Sequence, residues 1–210
     1  MTVFLWALIG YASGSLPSAW IVAVLTHNEG ALDRVRRGVG ETDAHLLLKR
    51  AGGKGATVAA AMDVVKGFAP VVIATQLTGP YEVAACAVAA VAGHCWPPLV
   101  PRLAGRGLAS AAGAFLGFVP IEMVVAGIIR IVGSLVKAGG LLSTIGFVTV
   151  PLYAWYRGRP LPYVIAAVVI NVLIFVRRLE GLSEDLELGM PVGLAVVRRV
   201  VLDASAHPQP

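Results

Sequence analysis

The amino-acid sequence predicts an all-α, polytopic integral membrane protein with about seven transmembrane helices. Composition points there first. Of 210 residues, 57% are hydrophobic and 14% charged, and mean hydropathy is +0.79, whereas a soluble domain carries roughly 25% charge. The second observation is a series of apolar runs, and the third is that basic residues collect in alternate connections between them.

The first run, 3–25, is too long for the core of a cleaved signal peptide and lacks a basic lead-in, so it reads as a retained first span. Further spans are expected at 56–78, 81–100, 108–118, 121–136, 141–156 and 160–176. Some are shorter than the roughly 20 residues that a bilayer normally requires, which suits helices that tilt or end inside protein. A transmembrane domain over 1–178 is followed by a tail, 179–210, expected to be cytoplasmic and partly disordered.

Arg34, Arg36, Arg37, Lys49, Arg50 and Lys54 lie in the first connection, Arg102 and Arg106 in the third, Lys137 in the fifth, and Arg177 and Arg178 open the tail. All four regions fall on one side, which the positive-inside rule makes cytoplasmic and which places the N-terminus outside. The connection Arg157-Gly158-Arg159-Pro160 is the exception. The net charge of +5 follows from this bias and does not suggest nucleic-acid binding.

Cys86 and Cys95 are nine positions apart in one helical run, about 13 Å, too far for a disulfide. No metal-ligand spacing occurs. Gly52-Gly53-Lys54-Gly55 lacks both the earlier glycine and the Ser or Thr of a nucleotide-binding turn.

The cytoplasmic side also holds the unusual polar residues. Asp63 and Lys66 share one face of the second span, where an isolated ion costs about 2.5–3.5 kcal/mol. They read either as an ion pair joining helices or as a lysine kept for an anion and held by the aspartate. His94 ends the third span, Pro97, Pro98 and Pro101 block its continuation, and Gly105-Arg106-Gly107 opens the next helix. That arrangement suits a phosphate: helix-end amides attract the anion, glycines allow its approach, and arginine binds two oxygens. The alternative is a pair of interfacial residues flanking a re-entrant turn.

Gly14-Ser15-Leu16-Pro17, Gly38-Val39-Gly40, Asp63-Val64-Val65-Lys66-Gly67, Gly93-His94-Cys95-Trp96-Pro97 and Gly105-Arg106-Gly107 form an ordered series. The series resembles the bacterial acyl-phosphate-dependent glycerol-3-phosphate acyltransferase family over nearly the whole chain, through Arg178. The resemblance implies transfer of a fatty acyl group from acyl phosphate to the 1-hydroxyl of glycerol 3-phosphate at the inner face of the cell membrane. Inorganic phosphate and lysophosphatidate would be released for phospholipid synthesis, with no cofactor and no metal. It implies catalytic roles for Ser15, Lys66, His94 and Arg106, and substrate contacts from Gly14, Gly38, Gly40, Lys49, Gly105, Gly107 and Ser143.

The match has departures. Arg106 replaces a lysine and Ala104 a glycine, and Gly140 stands for a second serine near Ser143. In the first loop a serine, a threonine and two asparagines are absent, while Glu41 and Asp43 bring negative charge toward a phosphate site. Val172 and Phe175 take the places of a histidine and an asparagine. Two other readings therefore stand beside the enzyme: a catalytically silent relative binding lipid or a partner, and a small transporter using Asp63 and Lys66.

Overall fold

Proline and glycine set the limits of the helices. The computed structural model describes residues 1–27, 52–98, 105–180 and 182–201, and among these there are helices and turns but no strand. The helices are α1 (Thr2–Gly14), α2 (Ser18–Leu25), α3 (Gly52–Leu77), α4 (Pro80–Cys95), α5 (Leu108–Phe118), α6 (Pro120–Leu135), α7 (Gly139–Tyr156), α8 (Leu161–Leu179), α9 (Leu182–Glu187) and α10 (Val192–Val196). A π-helical turn, Val197–Val201, follows α10. Pro80 and Pro120 begin their helices, where the missing N–H would have had no partner in any case. Thr2–Leu25, Thr57–Leu77 and Leu161–Leu179 are long and apolar enough to cross a bilayer.

The expected first span is not one continuous helix, because it breaks at Ser15-Leu16-Pro17. Pro17 has no N–H to continue the ladder, and the Leu16 amide turns back to Ser13 O at 3.2 Å. The third span likewise stops at Cys95 rather than running to 100.

The chain divides into two compact units, Met1–Phe118 and Val119–Pro210. In the first, α1 runs parallel to α4, with Gly10 and Gly14 lying against the carbonyls of Cys86 and Ala90. A Cβ added to Gly14 would sit 1.9 Å from Ala90 O, so only glycine allows these backbones to meet. Helices α3 and α5 pack the same way, Gly67 against Ser110 O and Gly113 against Val64 O. Large apolar side chains such as Phe4, Leu8, Leu25 and Ile73 point outward, while Ala87, Ala90, Ala111 and Ala114 are fully buried. That inversion suits hydrocarbon surroundings, where small residues provide the helix contacts. In the second unit α6 and α7 are antiparallel, as are α7 and α8. Gly133 meets Leu142, Gly146 meets the Ala126 carbonyl, and Asn171 reaches Phe147.

Two prolines lie inside helices, Pro70 in α3 and Pro151 in α7. Each deprives the carbonyl four residues earlier of its helical donor. Those carbonyls are Lys66 O and Phe147 O, and each is supplied from a neighbouring helix: Ser13 Oγ donates to Lys66 O at 2.9 Å and Asn171 Nδ2 to Phe147 O at 3.1 Å. Ser13→Ala is expected to cost about 0.6–1.7 kcal/mol, the range for hydrogen bonds between membrane helices. The cost should largely vanish in a Pro70→Ala background, where residue 70 regains an N–H. Unfolding of the four proteins in bicelles checks this, and equal costs in both backgrounds would refute the pairing.

Candidate active site

The break between α1 and α2 creates the first part of the site. Leu16 O, freed from the helix, accepts Lys66 Nζ at 2.8 Å, while Lys66 O accepts Ser13 Oγ. Side chain and backbone thus tie α3 to the break in both directions. The ammonium also lies at the negative end of α1, where a cation is favoured. Lys66 Nζ is 2.8 Å from Asp63 Oδ1 as well, so two of its partners are within the protein. Both residues are buried.

Asp63 Oδ1 also faces His94, in the last turn of α4, at 3.5 Å from Nδ1. That nitrogen is buried and makes no hydrogen bond among the described residues. Gly105 lies on the imidazole: its N–H donates to His94 O at 3.2 Å, and an added Cβ would fall 2.1 Å from Nε2. Gly107 has φ 86, a left-handed conformation that suits glycine, and its carbonyl accepts the Ala111 amide at 2.8 Å to start α5. Arg106 stands half-buried between these two glycines.

Ser15 joins the same end. Its hydroxyl donates to Tyr11 O at 2.7 Å, and Tyr11 Oη donates to Trp96 O at 2.7 Å. Gly93 fits between, since a Cβ there would be 2.9 Å from Ser15 Oγ. Ser15, Lys66, His94, Gly105, Arg106 and Gly107 are therefore gathered at one end of the first unit, with Gly14 at the adjoining α1–α4 contact. Gly38, Gly40 and Lys49, with Glu41 and Asp43, lie outside the described residues.

Ser143 belongs to the second unit, where it is buried and accepts Arg130 Nη1 at 3.2 Å. The adjacent Thr144 Oγ1 accepts Arg178 Nη1 at 2.9 Å. Sequence reasoning passed over Arg130, although a lone arginine in an apolar helix was a usable signal. It also passed over Ser110 in the first turn of α5, whose fully buried hydroxyl has no hydrogen-bond partner among the described residues. In chemical terms the first unit offers helix-end amides, an arginine and an imidazole held beside a carboxylate, a set suited to anion binding and proton handling.

Residues 4–185 match the family model for glycerol-3-phosphate acyltransferase. A glycerol-3-phosphate acyltransferase of Rubrobacter xylanophilus is 31% identical over 86% of this chain and 90% of its own length. One of Erythrobacter litoralis is 35% identical over 78% and 83%. Two crystal structures of PlsY (YgiH), an integral membrane glycerol 3-phosphate acyltransferase, share the fold. The lysophosphatidic acid form has a TM-score of 0.74 at 22% identity, covering 94% of this chain and 99% of that one. The glycerol 3-phosphate form has a TM-score of 0.75 at 23% identity, covering 90% and 94%. With its helices, its polar end and these relatives taken together, the chain belongs to the glycerol-3-phosphate acyltransferase family.

Proposed function

We propose that this membrane protein moves a fatty acyl group from acyl phosphate to the 1-hydroxyl of glycerol 3-phosphate at the cytoplasmic membrane face. The observation that carries the reading is the run of contacts from Gly105 through His94, Asp63 and Lys66 to Leu16, which fixes a Gly-Arg-Gly turn at the start of α5. Family membership supports the reaction class, and the glycerol 3-phosphate form of PlsY supports the acceptor.

In this mechanism Arg106 and the α5 amides receive a phosphoryl group, and the positive helix end adds to the attraction. The hydroxyl oxygen attacks the acyl carbonyl carbon, the carbonyl–phosphate C–O bond breaks, and the hydroxyl proton ends on the released phosphate. Rate comes from holding the two reactants together and from neutralising the leaving group. Asp63 and Lys66 act as positioning residues, since each is engaged with protein groups that orient His94 and the helix break. Gly14 serves chiefly by admitting α4.

Seven crossings, an outer N-terminus and a cytoplasmic C-terminus complete the proposal. The parallel packing of α1 with α4 and of α3 with α5 supports it, as expected if each helix crosses once. The basic connection after α7 is accommodated by a buried carboxylate. Glu122 accepts Arg159 Nε at 2.8 Å and Arg159 Nη2 at 3.1 Å, and Arg157 Nε lies 3.7 Å away. An outer loop so paired presents less positive charge than its composition suggests.

Purified protein given an acyl phosphate and labelled glycerol 3-phosphate should form lysophosphatidate. No product under conditions that support an intact relative would leave the silent-relative reading. Restoring neutral hydrogen-bonding groups in the first loop, Val39→Ser with Glu41→Asn, is expected to raise turnover. At about 0.5–1.5 kcal/mol per hydrogen bond, each gain is roughly twofold to tenfold. Unchanged turnover would count against placing that loop at the phosphate.

A further inference from the structure

The family match ends at residue 185, yet the chain continues into ordered helical structure. Only Glu180 and Gly181 separate the last span from Leu182. Helix α9 ends at a glycine turn: Gly189 N–H donates to Leu186 O at 2.9 Å, Met190 N–H donates to Asp185 O at 3.2 Å, and Gly189 has φ 80. This paired bonding closes the helix and sends the chain through Pro191 into α10. The π-helical turn after α10 then packs on α7 and α8.

Two charged side chains of this tail lie inside and several of its apolar ones outside. Asp185 is 1% exposed and Arg199 9%, and they form a two-point ion pair, Nε to Oδ2 and Nη2 to Oδ1. Leu188 is 57% exposed, Val192 61%, Leu194 51% and Val197 47%. A tail built for water would place these the other way, because an exposed apolar ridge costs free energy and a buried ion pair adds little. The neighbouring span has the same outward character, with Val168, Val172, Phe175, Val176 and Leu179 exposed. Exposed apolar side chains thus occur both on the last membrane helix and in the tail that follows it.

We infer that residues 186–197 form a membrane-surface hairpin, with Leu188, Val192, Leu194 and Val197 inserted in the lipid interface beside the end of α8 and the Asp185–Arg199 pair locking its fold. The occupant of the ridge is lipid. Helical segments of this kind bury an apolar face about 5–10 Å into the headgroup and acyl boundary. The inference does not depend on acyl transfer.

The test uses the full chain in proteoliposomes, labelled with an environment-sensitive fluorophore on Leu188→Cys, Val192→Cys or Leu194→Cys. Native Cys86 and Cys95 are buried, and Val168→Cys on the exposed face of α8 gives the membrane-span reference. Quenchers attached near the headgroup should reduce emission at all three tail sites several-fold more than aqueous iodide does. Strong quenching by iodide with little by lipid overturns the inference in favour of a water-facing tail. Protection from both quenchers, with disulfide-linked dimers from the unlabelled Leu194→Cys protein, overturns it in favour of a second copy of the chain.

Discussion

Arg106→Ala is expected to lower kcat by about 10²–10³-fold, the loss that follows removal of one preorganised charge-stabilising donor. Arg106 is set between Gly105, pressed against His94, and Gly107, which starts α5. A thermal melt of the alanine variant beside the parent separates lost catalysis from lost fold. Arg106→Lys keeps the charge but loses the two-point fork, and it should recover much of the rate while binding phosphate with different geometry. Product formation with acyl phosphate and glycerol 3-phosphate both saturating, measured for the three proteins, decides the matter. Wild-type kcat in the alanine variant would remove Arg106 from the chemistry.

The second large effect concerns stability. Glu122→Gln should destabilise the protein by about 3 kcal/mol, the lower end of the 3–5 kcal/mol seen when one partner of a buried pair is removed. The lower end applies because Arg159 keeps 27% of its side-chain surface exposed, although Glu122 keeps none. Arg159 stays charged without Glu122, because a guanidinium is not deprotonated under ordinary conditions, so the arginine cannot relieve the loss by becoming neutral. A further Arg159→Gln change should return part of the lost stability by removing the uncompensated cation. Denaturation in detergent, followed for both variants, gives the result. Equal stability of Glu122→Gln and the parent would mean that the pair contributes nothing net.

The features legible in the sequence were those set by neighbours in the chain. His94 followed by prolines and by Gly105-Arg106-Gly107 already described a helix end, a reversal and a new helix start, and the structure gives that arrangement. Gly105 against the imidazole is a contact across the same turn. The Asp63–Lys66 pair was legible from its spacing, but its attachment to Leu16 was not. That contact needs a carbonyl released by the Pro17 break and a helix brought alongside from far along the chain. Ser13 and Asn171 were invisible for the same reason, since each answers a proline on another helix. Arg130 and Arg178 acquire meaning only when α6 and α8 lie against the Ser143-Thr144 step. The inward pairing of Asp185 with Arg199 was not legible either, because it depends on the Gly189 turn that brings the two together.

Equilibrium binding of labelled glycerol 3-phosphate to the purified protein in nanodiscs tests the proposed phosphate site at the start of α5 most directly. Wild type and Thr2→Ala, altered where α1 meets Glu82 at the far end of α4, should bind alike, while Arg106→Ala and His94→Ala should each bind at least tenfold more weakly, about 1.4 kcal/mol. Undiminished affinity in both of the latter variants would contradict the assignment of this end of the bundle as the site.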